Sequence, residues 1–201
     1  MGDGLTPLLT QGWGATIMKK RFSALIVAIG IVLAGCQTMQ PASYSNYGDN
    51  TFVLRKLSGA KARVSSMADL SKFDTGCRMA GPIKTAGSRP IAEFIRDSLN
   101  DELKFAGLYS DDPGTAELKA TLNSGEFSSM TGLTRGYWSF SLQLDTASTG
   151  KSPTATSRYD FDSGFDAMTA CMNTSNALTP AVQRLIYKAV SDPGFPGLVG
   201  R

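Results

Sequence analysis

One stretch of this chain removes itself from any fold. Met18-Lys19-Lys20-Arg21 is followed by Phe22 to Val32, eleven residues without a charge, and then by Leu33-Ala34-Gly35-Cys36. A basic start, an apolar run of about 7–15 residues and small residues at its end make a secretory signal, which is cut away and not packed into a core. The run is too short to span a bilayer, which needs roughly 20 apolar residues. Residues 1–17 fit no signal design: Asp3 is acidic, and Gly, Pro and Trp are scattered without period. Translation is therefore expected to begin at Met18, with 1–17 a non-native extension and 18–35 the signal.

Leu33-Ala34-Gly35-Cys36 resembles the lipobox of bacterial lipoproteins, in which the thiol is lipidated and the chain is cut just before it. Basic region, apolar region and box stand in the order that family uses. An ordinary secretory signal with a chance Cys, or a short membrane anchor, is the competing reading. The resemblance implies that Cys36 carries a diacylglycerol thioether and an amide-linked acyl chain. Two or more chains give stable attachment where one gives only marginal binding. Gln37, not Asp, follows Cys36. By the sorting rule of enterobacterial lipoproteins, this favours the periplasmic face of the outer membrane, with the inner membrane still open.

The chain has no His, which excludes His-based triads, His-ligated zinc and imidazole proton relays. Its three Cys are too few for an all-cysteine zinc site. Of the 20 Lys and Arg, Lys19, Lys20 and Arg21 precede Cys36; of the 17 Asp and Glu, only Asp3 does. That leaves 17 basic against 16 acidic residues, a net of +1, and no basic footprint for nucleic acid.

Residues 36–50 are expected to be the lipidated Cys and a flexible tether, since Gln37 to Asn50 is polar, turn-rich and aperiodic. As a coil it reaches roughly 20 Å on average, which keeps the domain near the membrane surface. A periplasmic domain is expected over 51–192 and a loose tail over 193–201. A strand is expected near 61–68 and a second short one within Thr75 to Lys84. Ile91, Ile95, Leu99 and Leu103 recur at helical spacing, widened by Phe94 and Ala106. Ser88 is the expected N-cap, Pro90 lies in the first turn and Gly107 is the stop. Leu118/Ala120/Leu122, Trp138/Phe140/Leu142/Leu144 and Tyr159/Phe161 then alternate with polar residues. They predict three strands, each with one packed and one wet face. Thr146–Ser152 is the expected hairpin loop and Ser128–Gly136 a longer loop. A closing helix is expected over Ala177–Val190, with Thr179 as N-cap and Pro180 at the first position. The order predicts an α+β fold: an antiparallel sheet of four to five strands with two helices packed on one face. Behind a lipobox, this order is similar to the small periplasmic domains of auxiliary lipoproteins of envelope transport systems, including those that accompany lipid-transporting ABC systems. The similarity is one of architecture over 61–190 and transfers no residues.

Cys77 and Cys171 remain for the oxidising periplasm, where they are expected to pair. Their long loop constrains the unfolded chain by roughly 4–5 kcal/mol in the entropy model. Two buried free thiols are the alternative. Asp145-Thr-Ala-Ser-Thr-Gly150-Lys151-Ser152 nearly spells a phosphate-binding loop, but Asp145 replaces its first Gly and Pro153 follows where a helix is needed. No nucleotide is expected. Asp160, Asp162 and Asp166 suggest calcium, but Phe165 stands where the loop needs Gly and Cys171 where it needs Glu; no metal is expected. Trp138 and Phe140 read as core before they read as an acyl-chain groove. Met130, Leu133 and Arg135, in the 128–136 loop, are the candidate partner-contact residues, because nothing periodic buries the apolar pair.

These readings point to a non-enzymatic membrane-anchored accessory or assembly component of an envelope complex, with an envelope protein as partner and no cofactor besides the lipid on Cys36. A lipid- or hydrophobic-ligand-binding module is the second reading. An envelope hydrolase is the third, since any two carboxylates could meet in space.

Overall fold

Trp138, Phe140, Leu142 and Leu144 point to one side of a single strand and are all fully buried, and the domain is built around that row. The structure, a computed structural model, describes residues 39, 41–147, 150 and 152–200. The expected extension 1–17, the signal 18–35 and Cys36 lie outside the described residues. So does Lys151 of the phosphate-loop look-alike.

The elements are α1 (Gly48–Arg55), β1 (Ala62–Asp69), α2 (Ile91–Ala106), β2 (Ala116–Thr131), β3 (Arg135–Thr146), β4 (Thr154–Asp162), α3 (Ala167–Val190) and α4 (Phe195–Leu198). A short 3₁₀ turn, Ala86–Ser88, precedes α2. The four strands lie in the order β1-β2-β3-β4. Leu118, Ala120 and Leu122 of β2 stand opposite Thr146, Leu144 and Leu142 of β3, so alternation on both strands feeds one apolar face. The helices α2 and α3 cover that face, α2 over β1 and α3 over β3 and β4.

The fold is α+β as expected, but the sheet is mixed. β2, β3 and β4 are antiparallel neighbours, whereas β1 runs parallel to β2, with Val64 opposite Leu118. A strand, a helix and a returning strand form a crossover, which parallel pairing requires. The strand expected within 75–84 is a turn held by a single bridge between Gly76 and Pro82. Asp74 caps the backbone N–H of Gly76, and Arg78 sits at φ 47°, so the segment folds back before it can extend.

Ser88 does not cap α2. It lies in the 3₁₀ turn at φ 54°, and Pro90 holds the N-cap position. Gly107 ends the helix as expected, in the left-handed region at φ 78°, where the Leu108 N–H returns to the Leu103 carbonyl.

The closing helix starts ten residues earlier than expected, at Ala167, with Asp166 as its cap and Pro180 inside it. Burial decides this: Ala170, Cys171, Thr174 and Ser175 are all buried, and helix is how they reach that environment with their backbone bonded. The hydroxyl of Thr179, expected to cap the helix, donates to the Ser43 carbonyl instead.

Two segments read as loose are packed. In the expected tether, Ala42 is buried and hydrogen-bonds through its backbone to Lys84 and Ala86, and residues 48–50 already belong to α1. In the expected tail, Phe195, Leu198 and Val199 are buried. Their Gly and Pro neighbours turn the chain back and do not free it.

The expected loop 128–136 is mostly strand. β2 and β3 run on past the core and turn over residues 132–134. Gly136 permits the approach: a Cβ there would meet the Ser128 carbonyl oxygen at 2.7 Å and the Phe161 ring at 2.5 Å.

Candidate interaction surface

Cys77 and Cys171 are joined by a disulfide, with their Cα atoms 5.9 Å apart. The bridge fastens the 75–83 turn to the first turns of α3. Its neighbour Arg78 donates to the hydroxyl and carbonyl oxygens of Ser129 on β2 and to the Phe165 carbonyl before α3. Ser163 completes the arrangement. Its N–H donates to the Thr134 carbonyl at 2.7 Å and its hydroxyl to the Ser129 carbonyl at 2.5 Å. Three separate segments are thus tied together at one end of the sheet.

That end carries four exposed large apolar side chains, including the three most exposed among the described residues. Met79 is 101 % exposed, Phe165 81 %, Leu133 74 % and Met130 61 %. Nothing in the internal bonding requires apolar groups there, and water is the poorest medium for them. Of the residues singled out from the sequence, Met130, Leu133 and Arg135 all fall here. Arg135 bonds Asp162 at 2.8 Å across β3 and β4. Met79 and Phe165 escaped that reading because the first seemed part of a strand and the second part of a look-alike calcium loop. A flag on large apolar residues within two positions of a Gly in turns would have found them.

The other tempting groups have structural employment. Trp138 is buried, stacks on Phe140 with centroids 5.5 Å apart, and donates its indole N–H to the Thr174 carbonyl. Asp160 bonds Arg158 at 3.0 Å. Asp166 accepts from the Thr169 N–H, and this backbone bond holds its carboxyl below the usual Asp range. Asp145 accepts from Ser152 across the hairpin. A polar groove between β1 and α2 is lined by Arg63, Arg89, Asp97 and Asp111. Arg63 bonds Asp111 and Glu117, and Arg89 bonds Asp97.

One buried carboxyl was not anticipated. Glu102 of α2 is fully buried, and its Oε1 accepts from the Tyr44 hydroxyl at 2.6 Å, the Tyr47 N–H at 2.8 Å and the Asn50 amide at 3.2 Å. Burial first, then the bond to Glu102, pushes the Tyr44 phenol above its ordinary range. The cluster clamps the N-terminal segment to α2.

Among the described residues no helix is long and apolar enough to cross a membrane. No protein-family profile matches the chain, and no curated protein does. Among solved structures, a Caulobacter crescentus CB15 protein provisionally named a lipoprotein aligns over 76 % of this chain and 99 % of its own, at 15 % identity and a TM-score of 0.40. An uncharacterized protein aligns over 75 % of this chain and 97 % of its own, at 11 % identity and a TM-score of 0.37.

Proposed function

We propose that the chain is a lipid-anchored accessory protein of the bacterial envelope, held by acyl chains on Cys36 at the periplasmic face of the outer membrane. It assembles there with an envelope complex and catalyses nothing. The observation that carries this reading is the leader itself: Lys19-Lys20-Arg21, an uncharged run, and Leu33-Ala34-Gly35-Cys36. The Cys77–Cys171 bridge supports it, because structural disulfides belong to oxidising compartments. The non-catalytic part is supported by the acidic groups just described, which cap, clamp or pair within the fold.

The test is metabolic labelling with a palmitate analogue in a bacterial host, beside a Cys36→Ser variant. Label on the native chain and none on the variant is expected, with the native chain in the outer-membrane fraction. An unlabelled native chain, soluble after lysis, would overturn the reading. Cross-linking of the detergent-solubilised lipoprotein tests the accessory role, and a strictly monomeric product would count against it.

A further inference from the structure

We infer that the apolar end formed by Met79, Met130, Leu133 and Phe165 inserts into the bilayer that holds the lipid anchor, so that the domain lies against the membrane in one orientation. The inference rests on the proposed lipidation of Cys36.

The path of the chain chooses this occupant. Ser45 is held by Gln183 of α3, Ser43 by Thr179, and Ala42 by residues 84 and 86. Going backward from Ser45 to Ser43 moves one turn along α3 toward its N-terminus, which is the end that carries Cys171 and follows Phe165. Traced backward, residues 45 to 42 therefore run toward the apolar end. Seven residue steps lead from Cys36 to Ser43. Extended, they reach about 24 Å. Thr179 lies twelve residues from Ala167, about 18 Å along the helix. The anchor and the apolar end can thus meet one membrane plane.

The shape of the patch agrees. The apolar groups project singly from a hairpin tip, a disulfide-fastened turn and the loop before α3. A cleft lined by Asp74, Gly76, Arg78, Phe127 and Met130 lies beside them, and Met79, Leu133 and Phe165 are not part of its lining. Bonds from Arg78 and Ser163 hold these segments in register, so little order has to be created on insertion. Charge does not drive the contact. Arg78 and Arg135 stand near Asp74, Asp162 and Asp166, and Arg135 is already paired with Asp162. The binding should therefore need no anionic lipid and should survive high salt.

The experiment uses the mature lipoprotein, purified from membranes and reconstituted in vesicles of brominated phosphatidylcholine, whose bromines quench tryptophan fluorescence on contact. Leu133→Trp and Phe165→Trp report from the apolar end, and Lys119→Trp reports from the exposed side of β2; the buried Trp138 is a constant background. Quenching at 133 and 165, unchanged in 0.5 M salt, with none at 119, is expected. Absence of quenching at 133 and 165 in palmitate-labelled protein overturns the inference and leaves the lipidation standing. So does quenching equal at all three positions. Cross-links from position 133 to a protein, without quenching, would overturn it in favour of a protein partner. Unlipidated protein secreted behind an ordinary cleavable signal in place of residues 18–36, carrying Phe165→Trp and titrated with the same vesicles, separates the two readings from the other side. Quenching at high lipid is expected, and Met79→Asp should weaken it about tenfold.

Discussion

The hydroxyl of Tyr44 donates to Glu102 Oε1 at 2.6 Å, although the residues lie 58 apart in the chain. Tyr44 also meets the Phe94 ring edge-on, with centroids 6.2 Å apart. This pair turns what reads as tether into part of the domain. Among the described residues, the second carboxyl oxygen of Glu102 and the side-chain oxygen of Asn50 are buried without a hydrogen-bond partner. Glu102→Gln keeps an acceptor for Tyr44 and puts an amide where the unbonded second oxygen stands. It should stay within about 1 kcal/mol of the native stability. Glu102→Ala strands the Tyr44 hydroxyl, the Tyr47 N–H and the Asn50 amide, and should cost about 3 kcal/mol. Urea unfolding of the three proteins checks both, and limited proteolysis should find new cuts within 42–50 only in the Ala variant.

The bridge between Cys77 and Cys171 should be complete in protein recovered from an oxidising compartment. Thiol titration of the denatured, unreduced protein is expected to find neither cysteine. Cys77→Ala/Cys171→Ala should lose roughly 2–5 kcal/mol, since the cross-link constrains a long loop of the unfolded chain. The variant should also loosen the apolar end before the sheet, because the 75–83 turn then depends on the bonds of Arg78. Hydrogen exchange of residues 76–83 against those of β3 measures this.

What was legible in the sequence follows from how local each decision is. The face of β3 was legible because alternation of Trp138, Phe140, Leu142 and Leu144 with Ser139, Ser141 and Gln143 is a property of neighbouring residues. The stripe of α2 and its stop at Gly107 were legible for the same reason. The direction of β1 was not, since parallel pairing depends on whether residues 75–84 form a strand, and a disulfide and a backbone cap decide that. The clamp on Glu102 was hidden because a glutamate on a helix ordinarily points to water, and its three donors come from a segment without periodicity. The apolar end was half legible: Met130 and Leu133 stood out as unplaced apolar residues, but only the bridge and Arg78 bring Met79 and Phe165 beside them.

Asp166 should contribute to stability only while it is ionised. Its folded-state pKa lies below the usual Asp value because the carboxylate accepts the Thr169 N–H at the start of α3. A depressed carboxyl contributes fully above the unfolded pKa, about 3.9, and the contribution is lost as pH falls through the folded value. Melting temperature compared between native and Asp166→Ala protein should therefore differ at pH 6, with the gap closing below about pH 4. Asp166→Asn keeps a capping oxygen and should recover most of the difference at pH 6 without the pH dependence.

Pro180 lies in the middle of a 24-residue helix, where the sequence rules place it at a start. It has no N–H to offer the carbonyl of Asn176, four residues back, and an interior proline typically costs a helix about 3 kcal/mol. The surrounding helix forms regardless, because Ala177, Leu178, Ala181, Val182 and Leu185 are buried on the core. Replacing Pro180 by Ala restores a donor at a position already held in helical conformation. The unfolded chain gains freedom worth about 0.4–1 kcal/mol, which opposes the benefit. The restored bond and the relieved clash are the larger quantity, so Pro180→Ala should raise the urea midpoint, by the equivalent of about 1–2 kcal/mol. A lower midpoint would mean that the ring's own packing over α3, beside Tyr159 and Gln183, outweighs the backbone effect.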